Sequence, residues 1–334
     1  MAGTLDPPVS GIPFDGWVPI RLFWQGAEPL VEWCYLGRQQ FTHPFFDSTI
    51  QLSLQSPFNS LFRHHTTMAT LADWFQTSPG MKPSGLVFHM SRCGSTVVSQ
   101  MLASTVENVV ISEAGPIDAL ARAHLRAPSM PLEKRAAWLT WMVSALGQQR
   151  SGSEKRYFIK FDARTTFELP LLRLAFPDVP WIFLYRDPVE VLVSLVARPS
   201  NMTTPGMGDN LLALPTQEIA DMAIEDYAAR ILGLLCETAI RQFPDKRAML
   251  VNYNQIPGVV WSELPGHFGF DLTDEAIERM KESAALDAKN RSRRFEGDSG
   301  RRQAEASRDI RLAAEQWVEP RYKMLEQLRN QGSP

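Results

Sequence analysis

Cysteine is scarce in this sequence. Cys34, Cys93 and Cys236 are the only three, far apart and with no CxxC pair. That excludes a disulfide framework and a zinc module, and it points to a reducing compartment. Surplus positive charge is missing as well. Lys and Arg number 34 against 37 Asp and Glu, a formal net charge of −3. Bulk nucleic-acid binding is therefore excluded, and any basic site must be local. No apolar run approaches the ~20 residues that span a bilayer. The opening MAGTLDPPVSGIPFDG has neither the basic start nor the apolar core of a secretory signal. Internal repeats are absent. The expectation is a soluble, cytoplasmic protein, long enough at 334 residues to bury a sizeable core.

What is present begins with organisation. Residues 1–80 are rich in Pro and aromatics, with strand-like pieces at Val18–Trp24 and Leu30–Leu36 and a helix near Met68–Gln76. Pro79–Ser84 reads as a joint. Beyond it, apolar strand candidates (Gly85–Met90, Asn108–Ser112, Arg156–Phe161, Trp181–Tyr185, Arg247–Tyr253) alternate with helical stretches (Leu132–Gln148, Phe167–Phe176, Pro188–Ala197, Thr216–Gln242). Such alternation predicts an α/β domain over 81–334 with a mainly parallel sheet covered by helices, and a smaller accessory region over 1–80. Ala197–Thr216, with five Pro or Gly residues, reads as a mobile loop of the kind that covers active sites.

Two stretches carry the chemistry. In GLVFHMSRCGSTVVSQML (Gly85–Leu102) an apolar strand breaks into a short loop and a helix follows at once. Loop amides and a helix N-terminus then converge on one point, a seat for phosphate or sulfate. Gly94 permits the tight backbone, Arg92 adds a fixed charge, and Ser95 and Thr96 add hydroxyl donors. The usual triphosphate loop, GxxxxGK[ST], has Lys directly after its last Gly. Here Ser95 stands there, so a metal-assisted kinase or ATPase is disfavoured. In WIFLYRDPVEVLVSL (Trp181–Leu195) a second strand ends in Arg186. Asp187 can cap a helix that starts at Pro188, and Ser194 lies two turns in. An Arg at the carboxyl end of a strand faces the crevice where α/β sheets bind ligands, and its planar fork suits phosphate. Each stretch alone has a plain reading: a ligand-free turn, or an Arg186 neutralised by Asp187 or Glu190.

Together they resemble the PAPS-dependent sulfotransferases, with the bacterial type nearest in pattern. Arg92-Cys93-Gly94-Ser95-Thr96 matches that family's 5′-phosphosulfate loop, [KR]-S-G-[ST]-T, with Cys93 replacing Ser. Arg186 to Ser194 matches its 3′-phosphate motif, R-[ND]-P-x-[DE]-x-x-x-S, at every fixed position. The resemblance covers roughly residues 85–328 and implies a P-loop NTPase-like three-layer fold. It implies metal-independent transfer of a sulfuryl group from 3′-phosphoadenosine-5′-phosphosulfate (PAPS) to a hydroxyl or amine of a small-molecule acceptor. It also implies roles. Arg92, Cys93, Gly94, Ser95, Thr96, Arg186 and Ser194 would bind the donor. Tyr253 in MLVNYNQI would either lie near adenine or belong to the core. The basic segment Lys289–Arg302 would close over the 3′-phosphate, with Arg293, Arg294, Arg301 and Arg302 as candidates and Arg294 preferred.

For the base, many members carry K-x-H on the third strand. Here that pair is Lys160 and Asp162, so the His is missing. Other branches use a Glu after the second strand, which corresponds to Glu113. Glu113 is preferred, with Asp162 second. Glu113 could instead cap the helix of AGPIDAL, and Asp162 could pair with Arg164 or Lys160. A carboxylate base works near neutrality when burial raises its pKa. Arg92 and Lys160 would neutralise charge on the leaving phosphate. His64 and His65 lack companions at metal spacing and read as a surface loop; Trp138, Trp141 and Leu146 read as core. Cys93 reads as part of the loop lining rather than as an activated thiol. Two further functions stay open: a P-loop small-molecule kinase, and a non-catalytic nucleotide-binding protein with residues 1–80 as a partner-docking module. A homodimer stays open, and the acceptor is not legible.

Overall fold

The computed structural model describes residues 14–26, 28–207, 210–294 and 299–332. Its strands are β1 (Trp17–Gln25), β2 (Glu28–Tyr35), β3 (His64–Thr67), β4 (Gly85–His89), β5 (Asn108–Ser112), β6 (Arg156–Lys160), β7 (Trp181–Tyr185) and β8 (Ala248–Asn252). The last five form one sheet in the order β5-β6-β4-β7-β8, parallel throughout. Every residue of β4 and of β7 is buried, so helices must cover both faces of the sheet. The expected α/β core is therefore present, with strand boundaries within one residue of those read from the apolar runs. From β4 the chain first moves to one side of the sheet and later to the other through β7 and β8. The carboxyl ends of β4 and β7, side by side, flank the crevice that this reversal opens.

The first three strands make a separate antiparallel sheet in the order β1-β2-β3. Its inner residues, among them Val18, Ile20, Val31 and Trp33, belong to the same continuous core as the parallel sheet. Trp33 packs against Trp74 and Phe14, with ring centroids 5.4 and 4.6 Å away. Three local expectations need correction. His64 and His65 form β3, opposite Trp33 and Glu32, instead of a loop. Each imidazole gains a ring partner on β1, Trp17 at 4.6 Å and Phe23 at 5.4 Å, which draws this short polar run into the sheet. The long helix expected over Thr216–Gln242 is two, Thr216–Ala220 and Ile224–Gln242. Asp221 takes the Gln217 amide, Ala223 turns extended, and Glu225 and Asp226 start a new helix with the charge that its N-terminus favours. The stretch expected as helix over Phe167–Phe176 opens as a 3₁₀ turn, Ala163–Glu168, before the helix Leu169–Ala175.

No helix among the described residues is long and apolar enough to cross a membrane.

Candidate active site

The anion loop follows β4 directly. Ser91, Arg92 and Gly94 all take positive φ, at 80°, 51° and 84°. Left-handed backbone at non-glycine residues costs about 1–3 kcal/mol each. Successive residues in such turns form the concave amide nests that hold anions. Gly94 caps the helix Ser95–Ala103, and a Cβ there would stand 2.9 Å from both the Tyr253 ring and Ile256. Glycine is thus required for conformation and for space.

The second loop lies beside the first. Met90 N–H donates to the Leu184 carbonyl at 3.0 Å, and the Cys93 thiol donates to the same carbonyl at 3.2 Å. Asp187 accepts from the Glu190 N–H at 3.1 Å and Pro188 opens the helix Pro188–Ala197, as the sequence pattern implied. Arg186 is 4 % exposed and is paired with Glu190 at 2.6 Å, so the plain ion pair exists. The guanidinium does more than that: its Cζ sits 3.9 Å from the Tyr253 ring centroid. Gly94, Tyr253 and Arg186 are stacked in sequence, which ties the two loops into one wall.

That wall bounds a cleft of about 1190 Å³. Arg92, Gly94, Ser95, Thr96, Arg186, Ser194, Tyr253 and Arg294 all line it, together with Arg293, Arg301 and Arg302. Nine lining residues are Lys or Arg and four are Asp or Glu, so a chain of net negative charge concentrates positive charge here. Arg302 lies nearest the Arg186 turn, donating to the Glu190 carbonyl at 3.3 Å, while Gln303 donates to Asp187 at 2.8 Å. Arg294 forms a bridge with Leu286 at the rim. Residues 295–298, with Glu296 and Asp298, lie outside the described residues. Arg198, Ser200, Asn201 and Met202 from the expected covering loop also line the cleft, and Arg92 donates to the Arg198 carbonyl at 3.1 Å.

Cys93 contributes backbone only, because its thiol points into the core. Burial pushes it up to about 12, Cys236 also to about 12 and Cys34 to about 11. All three stay protonated at neutrality and out of reach. Native protein at pH 8 should resist iodoacetamide at every cysteine, while urea-unfolded chain takes three adducts by mass spectrometry; a native adduct on Cys93 would refute this burial.

At the other end of the cleft, Glu113 directly follows β5 with φ of 56°, its N–H held by the Lys160 carbonyl at 2.7 Å. Its carboxylate is bonded to the ammonium of Lys160, which is 1 % exposed. Lys160 therefore serves Glu113 instead of standing open to the cleft. Asp162 is committed elsewhere. It caps the 3₁₀ turn after β6 and accepts from the Arg164 backbone at 2.9 Å and guanidinium at 3.0 Å. Burial pushes the Asp162 carboxyl up, but Arg164 outweighs it and holds it below the ordinary carboxylate range. Such a group is a poor proton acceptor.

His89 was missed in the sequence. It ends β4, with Nε2 3.0 Å from the Phe161 carbonyl and 3.8 Å from Glu113, while Nδ1 accepts the Ser91 N–H at 3.0 Å. Those contacts fix the Nε2–H tautomer, and burial together with the Lys160 charge pushes the imidazole down to about 3. The signal was its place as the last residue of an apolar run, immediately before the anion loop. Among the described residues no group of three or more His, Cys, Asp or Glu is arranged to hold a metal ion.

A parallel sheet with two cationic loops at its switch point defines an enzyme of anionic group transfer. A model of the sulfotransferase family matches residues 86–258, just over half of the sequence, and the chain belongs to that family. It is a sulfotransferase. Solved structures similar to it include sulfotransferase STF9 from Mycobacterium avium, with 13% identity, 75% of this chain and 80% of that one covered, and a TM-score of 0.46. A sulfotransferase from Alicyclobacillus acidocaldarius has 12% identity, covers 75% and 96%, and gives 0.45. Retinol dehydratase in complex with androsterone and inactive cofactor PAP has 15% identity, covers 80% and 86%, and gives 0.33. No curated relative matches the sequence.

Proposed function

We propose that the cleft binds PAPS and passes its sulfuryl group to a hydroxyl or amine of a small-molecule acceptor, with Glu113 as base. The observation that carries this reading is the Gly94–Tyr253–Arg186 stack, which gives one ligand an anion loop and a second buried cation on either side of an aromatic ring. The 5′-phosphosulfate fits the Arg92–Thr96 turn. The 3′-phosphate fits Arg186, Ser194 and Arg302, and the Tyr253 ring suits the adenosine between them.

In the transfer, the acceptor oxygen or nitrogen attacks sulfur in line and a new bond forms to it. The bond from sulfur to the bridging phosphate oxygen breaks, and the acceptor's proton goes to Glu113. Arg92 and the loop amides meet the charge that grows on the departing phosphate, where fixed donors are most effective. Lys160 holds Glu113 toward the acceptor. We also read the enzyme as cytoplasmic, in keeping with three free, buried cysteines.

Calorimetric titration with 3′,5′-adenosine bisphosphate, against 5′-AMP, tests the donor site. The bisphosphate should bind more tightly. Arg186→Ala should cost it ~10–100-fold, the loss of a charged hydrogen bond, while 5′-AMP changes little. Equal affinities for the two nucleotides in the unmodified enzyme would refute the assignment.

A further inference from the structure

The end of the cleft around Glu113 holds little apolar surface. Among the described residues it has the Phe45 ring and the His89 imidazole, beside the small Ala163 and Ala288 and the buried Met202. Its charges can be followed one by one. Glu113 is bonded to Lys160. Asp162 is bonded to Arg164. Asp287 closes its own turn, accepting the N–H groups of Lys289 and Asn290 at 2.9 and 2.7 Å. Among the described residues, these three carboxylates already have partners. Lys289 differs: among the described residues no carboxylate lies within 4.0 Å of its ammonium, which stands over the Phe45 ring, 5.9 Å from the centroid. Lys160 stands 5.4 Å from the same centroid. The Phe45 ring thus stands near both the lysine that holds the base and Lys289, on which Glu113 and Asp287 act from beyond contact distance.

We propose that the acceptor is a small polar molecule bearing an anionic group, a carboxylate or a phosphate monoester, which Lys289 binds beside Phe45 while the nucleophile meets Glu113. This rests on the sulfuryl-transfer reading above and adds the acceptor's chemical class. An apolar polycyclic alcohol would desolvate the Lys289 charge without giving it a contacting anion, and the site offers it little apolar surface beyond Phe45 in return. An anion beside Phe45 supplies the contacting charge that Lys289 lacks. The proposal gives Lys289 a role apart from that of Arg302, which reaches the Arg186 turn.

The test is selective labelling. Burial, then Arg92 and Lys160, push the Lys289 ammonium below the usual lysine range against the opposing pull of Glu113 and Asp287, which favours its acylation. Sulfo-NHS-acetate modification of Lys289 is followed by peptide mass spectrometry in the free enzyme and in its 3′,5′-adenosine bisphosphate complex. Benzoate, monomethyl phosphate and benzyl alcohol are then added separately at millimolar concentration. In the complex, at least one anion should slow labelling threefold or more, and the stronger of the two identifies carboxylate or phosphate. Benzyl alcohol should have no effect. Protection by neither anion, or equal protection by benzyl alcohol, overturns the proposal. Complete protection by the bisphosphate alone also overturns it, because Lys289 would then serve the donor. If the bisphosphate fails to bind, the donor reading falls, while anion protection in the free enzyme still decides the role of Lys289.

Discussion

Glu113→Gln should lower kcat by ~10²–10⁴-fold, the usual contribution of a general base, while 3′,5′-adenosine bisphosphate binds within about twofold of the unmodified enzyme. The split follows from the geometry. Glu113 lies at the end of β5, whereas the donor assignment rests on the loop after β4, the turn after β7 and Tyr253. The amide keeps the size of the carboxylate and removes its ability to take a proton. It also strips the buried Lys160 of its counter-charge; because Glu113 is 26 % exposed, the cost stays below the ~3–5 kcal/mol of a fully buried pair broken from one side. A loss of activity through unfolding must therefore be separated from a loss of chemistry. Two controls do this. Bisphosphate binding reports that the fold survives, and the double variant Glu113→Gln/Lys160→Met removes the stranded ammonium. The double variant should recover thermal stability and remain as slow as the single one. Full turnover in a folded Glu113→Gln enzyme would move the base elsewhere. Asp162 is a weak substitute, because Arg164 already holds its proton affinity down.

How much of this was legible in the sequence differs between backbone and side chains. The strand ends could be read because β4 and β7 are buried on both faces and show as unbroken apolar runs. The Arg186 turn could be read because Asp187 and Pro188 are local signals that need no distant partner. The pairing of Lys160 with Glu113 could not, since it joins positions 47 apart across two neighbouring strands. The same holds for Tyr253 beneath Gly94: nothing near either residue announces the contact, which exists because β8 lies next to β7. Lys289 was grouped by composition with the arginines that follow it, and its closeness to the Phe45 ring could not be read from that segment. His64 and His65 show the converse. Their local sequence is polar and loop-like, and the aromatic rings of β1 decide otherwise.

His89 provides the second large effect, in stability instead of rate. Its imidazole titrates at about 3 in the folded protein, against an ordinary value of 6.5. Below pH 6.5 the unfolded chain takes up a proton that the native state refuses, so acid favours unfolding. Stability should fall by ~1.4 kcal/mol for each unit of pH between 6.5 and about 3, on the order of 5 kcal/mol in all. Asp162, whose folded carboxyl is held below its ordinary range, adds to the loss at lower pH, because stability present above its unfolded pKa disappears as that carboxylate is protonated. The two groups act on each other, and substituting His89 leaves the carboxylate to titrate without it. His89→Gln removes the titrating group and keeps an amide that can donate toward the Phe161 carbonyl, so its acid slope should retain only the carboxylate part. Urea denaturation at pH 7 and pH 4 should show the unmodified protein losing about 3 kcal/mol more than the variant over that interval. Coincident slopes would mean that His89 protonates in the folded state. In that case the Ser91 N–H would lose its acceptor, and the left-handed turn that begins the anion loop would be held by something other than this imidazole.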